Sequence, residues 1–326
     1  MGEVMIRRAL TGIQPSGTPH VGNWLGAIRP ALALSESCEG YYFIASYHAL
    51  TTSRDPALLR ERILDVAATW LALGLDPTRT VLWTQQDVPE VTELAWILSC
   101  VASKGLLDKA HAFKDAVTKG SKFVSAGLYT YPILMAADIL AFDSDLVPVG
   151  RDQKQHVEMA RGMAQSLNHI YGDLLKVPEP LIQDNVAIVP GTDGQKMSKS
   201  YGNTVPLFLP PKKLRKRLMA IKTDSRSLAD PKDPDTCTVF ALYRLFGTPE
   251  QQADLAERYR AGGLGYGHAK QELFELMNDQ LTIPRDRYNE LMARPDEIRD
   301  ILTNGARRAK LTAQATLNRV RVGVGL

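Results

Sequence analysis

Short apolar runs and longer amphipathic stretches alternate through the first two-thirds of the chain. Four runs read as strands: Arg8–Ile13, Tyr41–Ser46, Thr80–Thr84 and Leu146–Val149. Each is short, rich in aliphatic or aromatic residues, and bounded by glycine, proline or polar positions. The stretches Val21–Leu34, Ala57–Leu73, Val91–Ser103, Tyr131–Ala141 and Gln153–Asn168 predict helices. In the second, Leu58, Ile63, Val66, Trp70 and Leu73 fall on one face of a 3.6-residue period, and Gly74 followed by Pro77 supplies a stop. Pro30 interrupts the first, which predicts a kink or a later start. The alternation implies a parallel sheet with crossover helices on both faces.

After about residue 205 the strand pattern ends. Pro206–Pro211 is a proline-rich bridge, and Lys212–Ile221, Thr238–Phe246, Gln251–Tyr259 and Ala269–Leu276 read as helices. Beyond Pro284 a tail, Ile298–Val320, carries Leu302, Ala306, Ala309 and Ala313 at helical spacing. No internal repeat or low-complexity tract is present.

Composition narrows the class. With 44% apolar and 23% charged residues in 326, the chain has the make-up of a soluble globular protein, which excludes disordered, collagenous and coiled-coil architectures. A net charge of +3 neither demands nor excludes a nucleic-acid partner. Cys38, Cys100 and Cys237 show neither metal-site nor disulfide spacing, so a reducing cytoplasm is the expected setting. The first residues carry charges where a signal peptide needs an apolar run, and no uninterrupted apolar stretch is long enough to span a membrane.

Two segments carry candidate chemistry. Lys196-Met197-Ser198-Lys199-Ser200 places two lysines three apart, able to reach one polyphosphate, near Gly191 and Gly194. Mobile positive charge suits a leaving pyrophosphate. The competing reading is a polar surface loop. In Thr11–Asn23 a glycine-rich turn leaves a strand and enters a helix, so backbone N–H groups there face an anionic ligand. Gly22 would let a nucleotide base lie against the backbone, with His20 and Asn23 where phosphate oxygens pass. A plain strand-to-helix turn is the competing reading.

Together, in this order, the two segments resemble the HIGH-like and KMSKS motifs of class I aminoacyl-tRNA synthetases. Thr11–Asn23, Tyr131–Leu140 and Val147–His156 look like the bacterial tryptophanyl branch of that family. The resemblance runs over nearly the whole chain and is strongest before residue 205. It implies an α/β fold: a Rossmann-type parallel-sheet catalytic domain over 1–205 and a smaller all-helical anticodon-binding domain over 206–284. A C-terminal helix over about 285–326 is expected to pack back on the first domain. It implies ATP as substrate, Mg²⁺ held mainly by the phosphates, tRNA(Trp) and L-tryptophan as partners, a homodimer and no membrane.

Site residues follow by resemblance. Asp138 would accept the indole N–H, with Met135 one turn earlier; Val147 and Val149 would line the ring pocket, and His48 would lie near it. Gln153 would hold the amino group, while Gly12 and Gln14 would lie beside the carboxylate and the adenylate. For ATP the resemblance implies Gln14, Gly22, Asn23, Asp152, Lys196, Met197, Ser198 and Lys199, with His20, Asn23, Lys196 and Lys199 as the catalytic set and no protein metal ligand. Asp138 in so apolar a helix demands a partner, since an unpaired buried charge is costly; an arginine is the alternative to a ligand. Met135, Val147 and Val149 also read as core, and His48 as a satisfied core histidine.

Departures from the pattern are specific. Ser46 stands where the family usually has an acidic residue. Phe113-Lys114-Asp115-Ala116 lacks a second family lysine, which Lys114, Lys119 or Lys122 would have to replace. Lys212–Arg217 is the densest basic cluster, and Arg307, Arg308, Lys310, Arg319 and Arg321 add charge for tRNA phosphate. A tyrosine-specific relative and an auxiliary paralogue with a regulatory role remain open alternatives at this point.

Overall fold

The computed structural model describes residues 6–110, 118, 124–150, 153–182 and 189–326. Five parallel strands form one sheet in the order β3-β2-β1-β4-β5: β1 (Arg8–Ile13), β2 (Glu39–Ile44), β3 (Val81–Thr84), β4 (Leu146–Val149) and β5 (Glu179–Ile182). The chain winds outward from β1 on one side and restarts at β4 on the other. The carboxyl ends of β1 and β4 therefore flank the switch point, where open α/β sheets place ligands.

Both faces of the sheet are buried. Along β2, Tyr41 and Phe43 meet Trp83, and Tyr41 also meets Phe142, whereas Tyr42 stacks on Trp70 with ring centroids 5.0 Å apart. The period-two alternation thus feeds two cores, which a doubly covered parallel sheet requires.

Four strands match the apolar runs. β2 starts earlier than expected and stops before Ala45, because Ser46–Ala49 turns into a short helix. β5 had no counterpart in the pattern reading. Glu179-Pro180-Leu181-Ile182 neither alternates nor forms a purely apolar run, and Pro180 cannot donate to a ladder. It is tolerated because β5 is an edge strand that, among the described residues, pairs only with β4.

Residues 21–34 are helical throughout, and Pro30 does not break them. A π turn over Trp24–Ile28 precedes it, with the Arg29 N–H reaching five residues back to the Trp24 carbonyl. The widened turn makes room for a residue without an N–H. Pro284 likewise fails to separate two helices: Tyr266–Ala293 runs through it, held by buried Leu281, Arg285 and Leu291, and the break falls at Arg294. The expected helix Ala269–Leu276 is therefore far longer. The helix carrying Asp138 begins at Ala126 rather than Tyr131, since the Ser125 hydroxyl caps the Leu128 N–H at 3.2 Å.

The helices Pro211–Met219, Thr238–Tyr243 and Pro249–Ala261 pack with Tyr266–Ala293 around Leu214, Phe240, Tyr259 and Leu273. This core is continuous with Val21, Met197 and Val205. The last helix, Pro295–Val324, lies against β3. Four of its basic residues have partners within the fold: Arg319 bonds Asp143 at 2.6 Å, Arg321 bonds Glu93 at 2.5 Å, Arg308 bonds the Pro77 carbonyl at 3.0 Å and Lys310 pairs with Glu90 at 3.6 Å. Gly305 sets the contact. A Cβ there would lie 1.8 Å from the Leu82 carbonyl oxygen, which is backbone and cannot swing aside. Gly305→Ala is therefore expected to cost at least about 2 kcal/mol and lower the melting midpoint by several degrees; an unchanged calorimetric midpoint would refute this packing.

Candidate active site

A pocket of about 340 Å³ opens at the carboxyl ends of β1 and β4. All eight residues expected to hold tryptophan line it: Gly12, Gln14, His48, Met135, Asp138, Val147, Val149 and Gln153. Gly12, next to last in β1, lies against the Phe43 ring, and a Cβ there would come within 2.4 Å of that ring. Glycine is needed for the close approach.

Asp138 is the polar centre of the pocket. It is 2% exposed, on a helix otherwise apolar at that depth. Its partner is not an arginine. His48 Nε2 lies 2.9 Å from Oδ2, and Gln85 Nε2 donates to both carboxylate oxygens at 2.8 Å. Burial pushes the Asp138 pKa up, against the opposing pull of His48 and then Gln85. Gln14 donates to the His48 carbonyl at 3.1 Å, which ties the first motif to this polar cluster.

Tyr131 and Phe43 line this pocket and Gln85 stands behind Asp138; the sequence reading assigned none of them a role. Tyr131 approaches the His48 ring edge-on at 6.4 Å, with its hydroxyl against His156 Nε2. Its signal was available: Tyr131, Met135 and Asp138 share one helical face at i, i+4 and i+7. Phe43 forms a wall from β2, and Gln85 sits just beyond the end of β3. Gln85 lies far from every motif in sequence, so nothing marked it. Ser46, in the family's acidic position, is buried, and its hydroxyl accepts the Gln86 N–H at 3.3 Å. It holds the turn that delivers Gln85.

A second cavity of about 290 Å³ adjoins the first, and Gly12, Gln14 and Ala27 belong to both. Among the expected nucleotide residues, Gln14, Asn23 and Lys199 line it. The Lys199 ammonium donates to the Gly17 carbonyl at 2.7 Å, which closes the lysine loop over the first motif. Loss of solvent at that end lowers its pKa; Asp65 opposes this and Arg62 adds to it.

The remaining expected residues sit behind or outside this cavity. His20 is buried; its pKa is pulled down to about 4 by burial, helped by Lys199, so its imidazole is neutral at physiological pH. Met197 is buried, and its sulfur receives the Gly22 N–H at 3.3 Å. The Val21 N–H bonds the Val205 carbonyl at 2.9 Å and the Asn23 N–H bonds the His20 carbonyl at 2.8 Å. The helix start therefore does not offer free N–H groups to an anion, as the glycine-rich turn had suggested; the Gly22 donor goes to Met197 of the lysine loop, the Val21 donor to Val205 and the Asn23 donor back to His20. Lys196 is exposed, and neither it nor Ser198 lines this cavity. Asp152, Lys114, Lys119 and Lys122 lie outside the described residues.

Asn203 organises the lysine loop, a role no motif announced. It is buried; its Oδ1 accepts the Ser198 N–H at 2.8 Å, and its Nδ2 donates to Asp193 at 2.8 Å and to the Lys196 carbonyl at 3.1 Å. Beside it Lys213, Lys216 and Arg217 line a shallow groove. Arg217 is partly committed inward, to the Thr204 carbonyl at 2.8 Å and the Gly202 carbonyl at 2.5 Å. No cluster of three or more histidine, cysteine, aspartate or glutamate residues able to hold a metal occurs among the described residues, and none of their helices is long and apolar enough to cross a membrane.

The model of the family described as tRNA synthetases class I (W and Y) matches residues 6–282. A tryptophan--tRNA ligase of Rhodopirellula baltica is 50% identical over 319 residues, covering 98% of this chain and 99% of that one. One from Pseudomonas aeruginosa is 48% identical over 334 residues, covering 99% of this chain and 74% of the other. The crystal structure of the tryptophanyl-tRNA synthetase from Campylobacter jejuni complexed with ADP and tryptophan superposes with a TM-score of 0.92 at 46% identity, covering 98% of this chain and all of that one.

Proposed function

The chain belongs to the class I tRNA synthetases (W and Y), and from that premise we propose which of its residues carry the reaction. It activates L-tryptophan with ATP and transfers it to tRNA(Trp), releasing pyrophosphate and AMP. The tyrosine-specific and auxiliary readings give way to that identity. The observation that carries the residue assignment is the pair of adjoining cavities: a deep one centred on a buried carboxylate, and a nucleotide-sized one closed by Lys199, sharing the wall Gly12–Gln14.

Tryptophan enters with its ring between Phe43, Met135, Val147 and Val149, and its indole N–H donates to Asp138. Gln153 receives the ammonium group. The amino-acid carboxylate then points past Gly12 and Gln14 into the second cavity, where it attacks the α-phosphate of ATP in line and expels pyrophosphate. Neither step needs a protein nucleophile; positioning and charge stabilisation suffice. Lys199 and Asn23 face the phosphates. His20, being neutral, donates or accepts a single hydrogen bond there without adding charge. Lys196 joins by movement of its loop, and Asp152 meets the ribose. The described wall of the second cavity carries no carboxylate, which suits Mg²⁺ arriving on the ATP phosphates as part of the substrate. In the second step the terminal ribose hydroxyl of tRNA attacks the acyl carbon and AMP leaves.

Residues 1–205 with the last helix form the catalytic unit, and the helices of 206–284 take the anticodon, the whole acting in the cytoplasm. Exchange of pyrophosphate into ATP, run in parallel with tryptophan, tyrosine and phenylalanine, tests the assignment: exchange is expected with tryptophan, and equal exchange with phenylalanine would overturn the role of Asp138.

The active form is a homodimer, and the face that supports this reading is the helix Glu90–Val101. Trp96 stands 72% exposed on it, and a second chain seated there would bury the ring. Trp96→Glu is expected to convert a dimer to a monomer in sedimentation equilibrium; a dimer that persists at the same concentration would move the interface elsewhere.

A further inference from the structure

Gln85 is 1% exposed and lies where three elements meet: the turn after β3, the short helix Ser46–Ala49 and the Asp138 helix. Its carbonyl oxygen accepts the Tyr47 backbone N–H at 2.9 Å. A backbone N–H can only donate, so this contact fixes which end of the amide is which. The NH₂ end must then face Asp138, and it donates to both carboxylate oxygens. The Asp138 carboxyl is thereby held from the side away from the cavity by a group that cannot accept a proton. A carboxylate accepts strongly at both oxygens, whereas a carboxylic acid accepts well only at its carbonyl oxygen, so donation to both favours the ionised form.

We propose that Gln85 is a positioning residue for amino-acid recognition: its locked amide keeps Asp138 an aimed carboxylate, so that an indole N–H meets an acceptor instead of an acid O–H. Gln85 touches neither the substrate nor the reacting atoms and acts through Asp138. The inference rests on the placing of the indole against Asp138. The groups facing that carboxyl are few among the described residues. His48 is the imidazole partner on Ser46–Ala49, and Tyr131 lies on the same helix as Asp138 with its hydroxyl on His156. Asp87, on the Gln85 turn, is hydrogen-bonded to Thr84. All four remain in every variant, so the two substitutions differ only at position 85. Burial alone drives the carboxyl toward its neutral form, and the donors oppose it.

Two substitutions of nearly the same size separate the roles by the sign of a pH effect. Gln85→Met removes the donor, so Asp138 takes up a proton more readily. Its tryptophan KM is expected to rise about 10- to 100-fold, with the rise steepening as pH falls, while the ATP KM stays unchanged. Gln85→Glu can donate only when its own carboxyl is protonated, so its tryptophan KM is expected to improve as pH falls, the opposite direction. Pyrophosphate exchange between pH 5.5 and 8.5 reads both. Tryptophan KM values within twofold of the unsubstituted enzyme, or the same pH dependence in both variants, would overturn the proposal. Should Gln85→Met fail to fold, the direction of the Gln85→Glu profile alone decides. The underlying placement is tested separately on the unsubstituted enzyme, with a tryptophan analogue whose indole N–H is replaced by sulfur. Equal binding of that analogue would refute the role of Asp138 itself, whatever the Gln85 variants do.

Discussion

Lys199→Ala is expected to slow tryptophan-dependent pyrophosphate exchange by about 10²- to 10³-fold while leaving tryptophan binding within a factor of two. The ammonium lies at the mouth of the nucleotide cavity, 2.7 Å from the Gly17 carbonyl and within the field of Asp65 and Arg62. It lines the second cavity and not the Asp138 pocket, so its removal is expected to leave amino-acid contacts intact. What it loses is positive charge beside the departing pyrophosphate, where charge grows in the transition state. One such preorganised donor is worth roughly 3–4 kcal/mol. The effect should fall on kcat and the ATP KM, measured by exchange at varied ATP, with tryptophan affinity followed by equilibrium dialysis. Equal losses in catalysis and tryptophan binding would sink the leaving-group role. Lys199→Arg should recover part of the rate, because the charge is kept while the reach changes.

Asp138→Ala is expected to cut kcat/KM for tryptophan by about 10²- to 10³-fold and to narrow the preference for tryptophan over phenylalanine by a similar factor. Two losses combine. The indole N–H is buried without an acceptor, and the Gln85 amide and His48 are left facing an apolar gap. Phenylalanine makes no hydrogen bond to lose, so its weak activity should change little. Measured kcat/KM for both amino acids decides the matter: parallel losses would mean a collapsed pocket rather than a missing acceptor. Because Asp138 and Gln85 act as one unit, the Asp138→Ala, Gln85→Met double variant should cost scarcely more than Asp138→Ala alone.

Much of the site could be read from local strings. Thr11–Asn23, the Asp138 helix and the Lys196–Ser200 loop are contiguous segments whose chemistry rides on residue type and short spacing, and the residues expected for tryptophan converge on one cavity. Gln85, Phe43 and Asn203 were not legible. Each is an ordinary residue on an element with no motif, and each acquires its role from a neighbour that no periodicity predicts: Gln85 from Asp138 across 53 residues, Phe43 from Gly12 on the adjoining strand, Asn203 from Ser198 across five. The prolines misled for a related reason. Pro30, Pro180 and Pro284 carry the same local penalty, yet a π turn, a sheet edge and buried apolar contacts respectively absorb it. The basic residues of the last helix point the same way: Arg308, Lys310, Arg319 and Arg321 look free in sequence and are bound in the fold.

The sequence by itself determined the alternation of strands and helices, the change to all-helical chain after residue 205, and the chemistry of the two motifs, because hydrophobic period and residue type are local properties. Only the tertiary structure decided the strand order that opens a crevice between β1 and β4, and the fastening of the helix start at Gly22 to the lysine loop. It alone decided the donors that surround Asp138 and the charge state of His20. These depend on burial and on pairing between distant segments, and desolvation has no signature in a one-dimensional string.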